Sequence, residues 1–115
     1  MIDVISVEDA IARVGAPDAV FIDVREAQEL AATGIIPGAV LAPMSQLQAR
    51  TDRRNPGFEP SFVSGKELIF YCATGRRSAA AAEALARMGI PRTINLVGGI
   101  VAWRAGGGPV EPAGA

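Results

Sequence analysis

Short apolar runs alternate with stretches of helical spacing along the whole chain. Ala19-Val20-Phe21-Ile22 and Leu68-Ile69-Phe70-Tyr71 are unbroken and β-favouring, the pattern of strands covered on both faces in a parallel sheet. Val4-Ile5 predicts a first strand, Val40-Leu41-Ala42 a brief one stopped by Pro43, and Arg92-Thr93-Ile94-Asn95-Leu96 a last one. Ser6, with Asp9 three residues on, marks a helix start; Ala10, Ile11 and Val14 follow at helical spacing, and Gly15 can end that helix. Glu26 to Ala32 predicts a short helix closed by Thr33-Gly34, and Met44 to Arg50 predicts another. Arg77 to Met88 carries Ala81, Ala84, Leu85 and Met88 on one helical face, with Gly89 at its end. A short helix reaches Trp103 after Gly98-Gly99. About five alternations of strand and helix define a single α/β sandwich with a mainly parallel sheet.

Two segments stand outside this rhythm. Thr51 to Ser61 is polar and reads as a surface excursion, which Phe58 and Phe62 are expected to pin to the body. Residues 106–115 are rich in Gly, Pro and Ala and read as a loose tail on a domain spanning 1–105.

Composition narrows the classes. A chain of 115 residues suits one domain, and half of them are hydrophobic, enough for a buried core. The net charge of −1 argues against nucleic acid or an anionic membrane as partner, since both reward a strongly basic face. No apolar run approaches the roughly 20 residues that span a bilayer. Ile2-Asp3-Val4 puts an acid where a secretory signal carries basic residues, so a cytoplasmic location is expected. One cysteine excludes a disulfide within the chain and fits a reducing compartment. The absence of histidine removes Cys-His and Ser-His catalysis, histidine-ligated metals and a histidine general base. Nothing calls for a metal or a cofactor.

The chemistry therefore concentrates at Cys72. A strand ends there, and the link Ala73-Thr74-Gly75-Arg76 leads into a helix containing Arg77 and Ser78. Ligands of open α/β sheets bind at such carboxyl ends of strands. The first N–H groups of the helix lack intrahelical partners, and the link can curl them around the sulfur, with Gly75 supplying the unusual backbone angles. That setting should depress the thiol below its reference of about 8.5. Arg76 and Arg77 oppose the helix dipole and suggest recognition of an anion. The bland alternative makes Cys72 a small buried hydrophobe beside two solvated arginines. Cysteine phosphatases use Cys-x5-Arg, which requires arginine at position 78; Ser78 stands there, and Arg77 gives Cys-x4-Arg. The shorter loop suits a sulfur held on the cysteine better than a surrounded phosphate.

Three motifs resemble the single-domain rhodaneses, a sulfurtransferase family. They are Asp23-Val24-Arg25-Glu26 with Glu29 and Gly34-Ile35-Ile36-Pro37-Gly38-Ala39, the loop Cys72 to Ser78, and Leu96-Val97-Gly98-Gly99 with Trp103. The resemblance implies a three-layer α/β sandwich of about five mostly parallel strands with helices on both faces. It also implies sulfur transfer through a Cys72 persulfide, from a small anionic donor such as thiosulfate to cyanide, a thiol or a protein acceptor. Arg77 matches the family's loop arginine and is the candidate for positioning the donor, with Arg76 assisting. With no second cysteine in the chain, the acceptor must be another molecule. Ile35 replaces the family's usual histidine, which implies altered local hydrogen bonding. Asp23 and Arg25 lie where they could line the site, although an Arg25–Glu29 pair one helical turn apart is the favoured use. Trp103 is expected in the core. A non-catalytic binding or sulfur-sensing module and a cysteine phosphatase or arsenate reductase remain as alternatives.

Overall fold

The strand that delivers the cysteine, β4 (Glu67–Tyr71), is the middle of the sheet. In the computed structural model, which describes residues 2–113, it lies between β2 (Ala19–Asp23) and β5 (Thr93–Leu96). β1 (Asp3–Ile5) and β3 (Val40–Leu41) complete the order β1-β5-β4-β2-β3, and every pairing is parallel. Register sets the neighbours of the site: Tyr71 lies opposite Asp23, and Phe70 opposite Asn95.

The period-2 alternation of β4 divides its side chains between two cores. Leu68 and Phe70 join Ile22, Leu47, Phe62, Ala81, Ala82 and Leu85, beneath α3 (Leu47–Arg50) and α4 (Arg76–Arg87). Ile69 and Tyr71 join Ala10, Phe21, Ile94, Ile100 and Trp103, beneath α1 (Val7–Ile11) and α5 (Gly99–Ala105). The α2 helix (Ala27–Thr33) follows β2. Helices thus cover both faces of the sheet. Ala81 and Ala82 are fully buried; side chains this small let α4 sit close to the sheet.

Several elements differ from the sequence expectation. α1 stops at Ile11 and gives way to turns instead of running on to Val14, although Ser6 caps it by accepting from the Asp9 N–H at 3.1 Å. The stretch from Met44 splits into a 3-10 turn and the single turn of α3. Phe62 pins the polar excursion, stacking on Phe70 at 6.3 Å, whereas Phe58 stays half-buried against the Arg53 guanidinium. The segment 106–113 makes specific contacts with the body. Buried Trp103 needs an acceptor for its indole N–H and finds the Pro109 carbonyl at 2.7 Å. Ile35 and Glu111 then exchange backbone hydrogen bonds of 2.8 Å each, so backbone pairing holds Ile35. Residues 114 and 115 lie outside the described residues.

Candidate active site

Cys72 emerges from β4 into a loop in which the carbonyls of Cys72, Ala73 and Gly75 are engaged by neighbouring elements. Two unpaired N–H groups of the first turn of α5 are satisfied there: Ile100 donates to the Cys72 carbonyl at 2.9 Å and Val101 to that of Ala73 at 3.1 Å. Gly99 makes this approach possible. A Cβ at that position would lie 2.5 Å from both the Cys72 and Ala73 carbonyl oxygens, and its φ is +60°. The Gly75 carbonyl is taken by Asn95 Nδ2 at 3.1 Å. With those carbonyls engaged, the amides turn inward, and the Gly75 N–H donates to Cys72 Sγ at 3.1 Å. Gly75 achieves this at φ +100°, a left-handed conformation that a side chain would strain.

Burial pushes the Cys72 thiol up, but its donors outweigh that and hold it below its ordinary value. They are the Ser78 hydroxyl and the backbone amides of Ser78, Gly75 and Thr74. The start of α4 adds its partial positive charge. A thiolate is therefore stabilised without histidine. Sγ itself is shielded, Cys72 being only 1% exposed.

The structure redistributes the candidate charges. Arg77 grips Glu29 of α2 with two bonds of 2.8 Å. Glu29 also accepts from the Glu26 N–H at 2.9 Å, and Arg77 above all holds its carboxyl down to about 2. The expected Arg25–Glu29 pair is thus absent. Arg25 precedes α2 and turns back onto Asp23 instead, with Nε at 3.0 Å from Oδ1 and Nη2 at 2.8 Å from Oδ2. Its remaining donors go to Thr33 Oγ1 and the Gly34 carbonyl. Asp23 and Arg25 are 0% and 2% exposed, and the pair buttresses the ends of β2 and β4, with the guanidinium over the Tyr71 ring. Arg76 and Thr74 are exposed, Ala73 is half-buried, and Gly75 and Ser78 are buried. Among the described residues no group of three or more His, Cys, Asp or Glu could hold a metal.

One residue of the site escapes sequence reading. Asn95 bonds both the Gly75 carbonyl and, at 2.7 Å, the Ser78 hydroxyl. Its only signal is a polar residue between Ile94 and Leu96 in an otherwise buried strand.

A five-stranded parallel sheet with a cysteine loop at its carboxyl edge defines an α/β protein built around a thiolate cradle. The family model for the rhodanese-like domain matches residues 6–106, and the chain belongs to that family. A sulfurtransferase from Allochromatium vinosum is 32% identical over 93 residues, 81% of this chain and 78% of that protein. The thiosulfate:glutathione sulfurtransferase of Homo sapiens is 30% identical over 87 residues, 70% of this chain and 75% of its own. A solved structure from Rhodopseudomonas palustris, of unknown function and described as a possible tyrosine phosphatase, superposes with a TM-score of 0.90 at 38% identity. That match covers 96% of this chain and 85% of the other. No described helix is long and apolar enough to cross a membrane.

Proposed function

We propose that the protein is a sulfurtransferase that carries sulfane sulfur on Cys72. The observation that carries this reading is the sulfur cradle itself: N–H and O–H groups converge on one buried Sγ, and no carboxylate among the described residues acts on it. The Cys72 thiolate attacks the outer sulfur of thiosulfate, the S–S bond of the donor breaks, and sulfite leaves with the electron pair. The persulfide anion projects from the buried Sγ toward the loop amides of Ala73, Thr74 and Gly75. Cyanide or an external thiolate then attacks the outer sulfur and expels the Cys72 thiolate. Because Glu29 neutralises Arg77, exposed Arg76 is left as the loop cation that meets the donor's oxygens. Two relatives carry sulfurtransferase names, one of them specifying thiosulfate and glutathione, which supports the donor and acceptor classes.

Thiocyanate formation from thiosulfate and cyanide tests the proposal. Wild type should turn over and Cys72→Ser should not; turnover retained by Cys72→Ser would refute it. The shielding of Sγ favours one other reading, a binding or sulfur-sensing module, in which turnover is negligible and partner binding survives Cys72→Ser. Phosphatase chemistry lacks support in the loop. Ser78, where such chemistry needs an arginine, is fully buried and bonded to Asn95. Cys72-dependent hydrolysis of an aryl phosphate would revive it.

A further inference from the structure

Two of the groups around Cys72 Sγ, the Gly75 N–H and the Ser78 hydroxyl, owe their placement to one side chain on another strand. Asn95 sits on β5 at 7% exposure, with both ends of its amide used. Its orientation is unambiguous, because the Gly75 carbonyl can only accept and so must face Nδ2. That leaves Oδ1 for the Ser78 hydroxyl at 2.7 Å. Gly75 in turn donates its N–H to Sγ at 3.1 Å, and the same Ser78 hydroxyl lies 3.4 Å from Sγ. We propose that Asn95 is the positioning residue of the sulfur cradle: Nδ2 fixes the Gly75 amide on the sulfur, while Oδ1 shares the single Ser78 hydroxyl proton with it.

The two ends work in opposite senses. A hydroxyl has one proton, and the 2.7 Å bond to Oδ1 is the better of its two options when Cys72 is neutral. When the thiol ionises, the proton can turn to Sγ, at the expense of Asn95. The grip on Gly75 favours the thiolate, because it preserves the shorter contact to sulfur. Burial amplifies both effects, since Ser78 is 0% exposed and water cannot replace a lost partner. The charged groups around the loop are few. Arg76 and Arg77 approach from the start of α4, the first exposed to solvent and the second paired with Glu29 of α2, and Asp23 and Arg25 pair with each other at the end of β2. β5 and the first residues of α5 carry no charge.

The inference deepens the sulfur-carrier reading, yet it is tested on the free thiol, so either can fail without the other. The measurement is the pH dependence of Cys72 alkylation by iodoacetamide in the full chain, with circular dichroism to verify folding. Alkylation tracks the thiolate fraction. Asn95→Ala should slow alkylation near neutral pH about threefold and move the profile to higher pH. In a Ser78→Ala background there is no proton to share, so Asn95→Ala should cost more there, about tenfold. Asn95→Asp keeps the shape but sets a carboxylate oxygen against the Gly75 carbonyl and should also shift the profile upward. An unchanged profile for Asn95→Ala in the Ser78→Ala background, or for Asn95→Asp, would overturn the proposal. So would a smaller effect in the Ser78→Ala background than in wild type.

Discussion

Gly99→Ala is the perturbation that separates a close backbone approach from ordinary conformational preference. Gly99 has φ +60°, and Gly15, far from the loop in sequence, has φ +78°. An L side chain in this region costs roughly 1–2 kcal/mol at either position. Replacing glycine also stiffens the unfolded chain, which offsets about 0.4–1 kcal/mol equally in both. Gly15 is exposed in a turn and Gly99 is buried at the start of α5, and the chief difference between them is what the new Cβ meets. At Gly15 it meets nothing within 4 Å, whereas at Gly99 it meets the Cys72 and Ala73 carbonyl oxygens at 2.5 Å. Neither oxygen belongs to a flexible side chain, so the loop or α5 must move, and the bonds from Ile100 and Val101 weaken with it. Overpacking of this kind adds about 1–3 kcal/mol. Gly99→Ala should therefore be less stable than Gly15→Ala by that margin in urea unfolding at constant m-value. The expected difference in melting temperature is about 3–15 °C. Displacing the loop should also slow Cys72 alkylation in Gly99→Ala and leave it unchanged in Gly15→Ala. Equal stability losses in the two variants would refute the argument that Gly99 exists for the close approach.

Three further outcomes follow from the charges. Glu29→Gln removes a half-exposed pair and should cost no more than about 1 kcal/mol, because solvent screens it. Since Glu29 titrates at about 2 in the folded protein and near 4.3 when unfolded, its contribution is present above that unfolded value and is lost as pH falls toward 2. The stability gap between wild type and Glu29→Gln should close over that range; a gap unchanged down to pH 2 would contradict the pairing. The same variant frees Arg77 beside the loop and should lower the KM for thiosulfate, while Arg76→Ala raises it; unaltered KM values in both would exclude these arginines from donor recognition. Asp23→Ala leaves the Arg25 guanidinium buried without its counter-charge and should cost about 3–5 kcal/mol by chemical denaturation. A loss below 1 kcal/mol would show that the pair does not buttress the sheet.

The fold is legible because its two central strands are continuous apolar runs and the starts of α1 and α2 carry recognisable capping residues, whereas helix ends are not, α1 stopping at Ile11 short of Gly15. The loop was legible because a cysteine, a glycine and a helix start lie within a few residues of one another. What stayed hidden depended on partners distant in sequence. Arg25 and Glu29 have helical spacing, yet Arg25 lies before α2 begins, so the spacing rule does not apply and Arg77 takes Glu29 instead. The same pairing engages the guanidinium of Arg77, the residue expected to position the donor. Asn95 became part of the site only through the register of β5 against β4, which no local pattern encodes. The segment 106–113 reads as loose by composition, and its contacts, Pro109 with the Trp103 indole and Glu111 with the Ile35 backbone, depend on partners that composition does not reveal.

The central claim is that Cys72 is a sulfur carrier, and intact-protein mass spectrometry tests it most directly. After thiosulfate treatment and removal of excess donor, wild type should gain the mass of one sulfur atom, lose it on addition of cyanide, and regain it on a second treatment. Cys72→Ser should gain nothing. Absence of any such adduct with thiosulfate or another sulfane donor, in protein whose Cys72 is still alkylatable, would contradict the account.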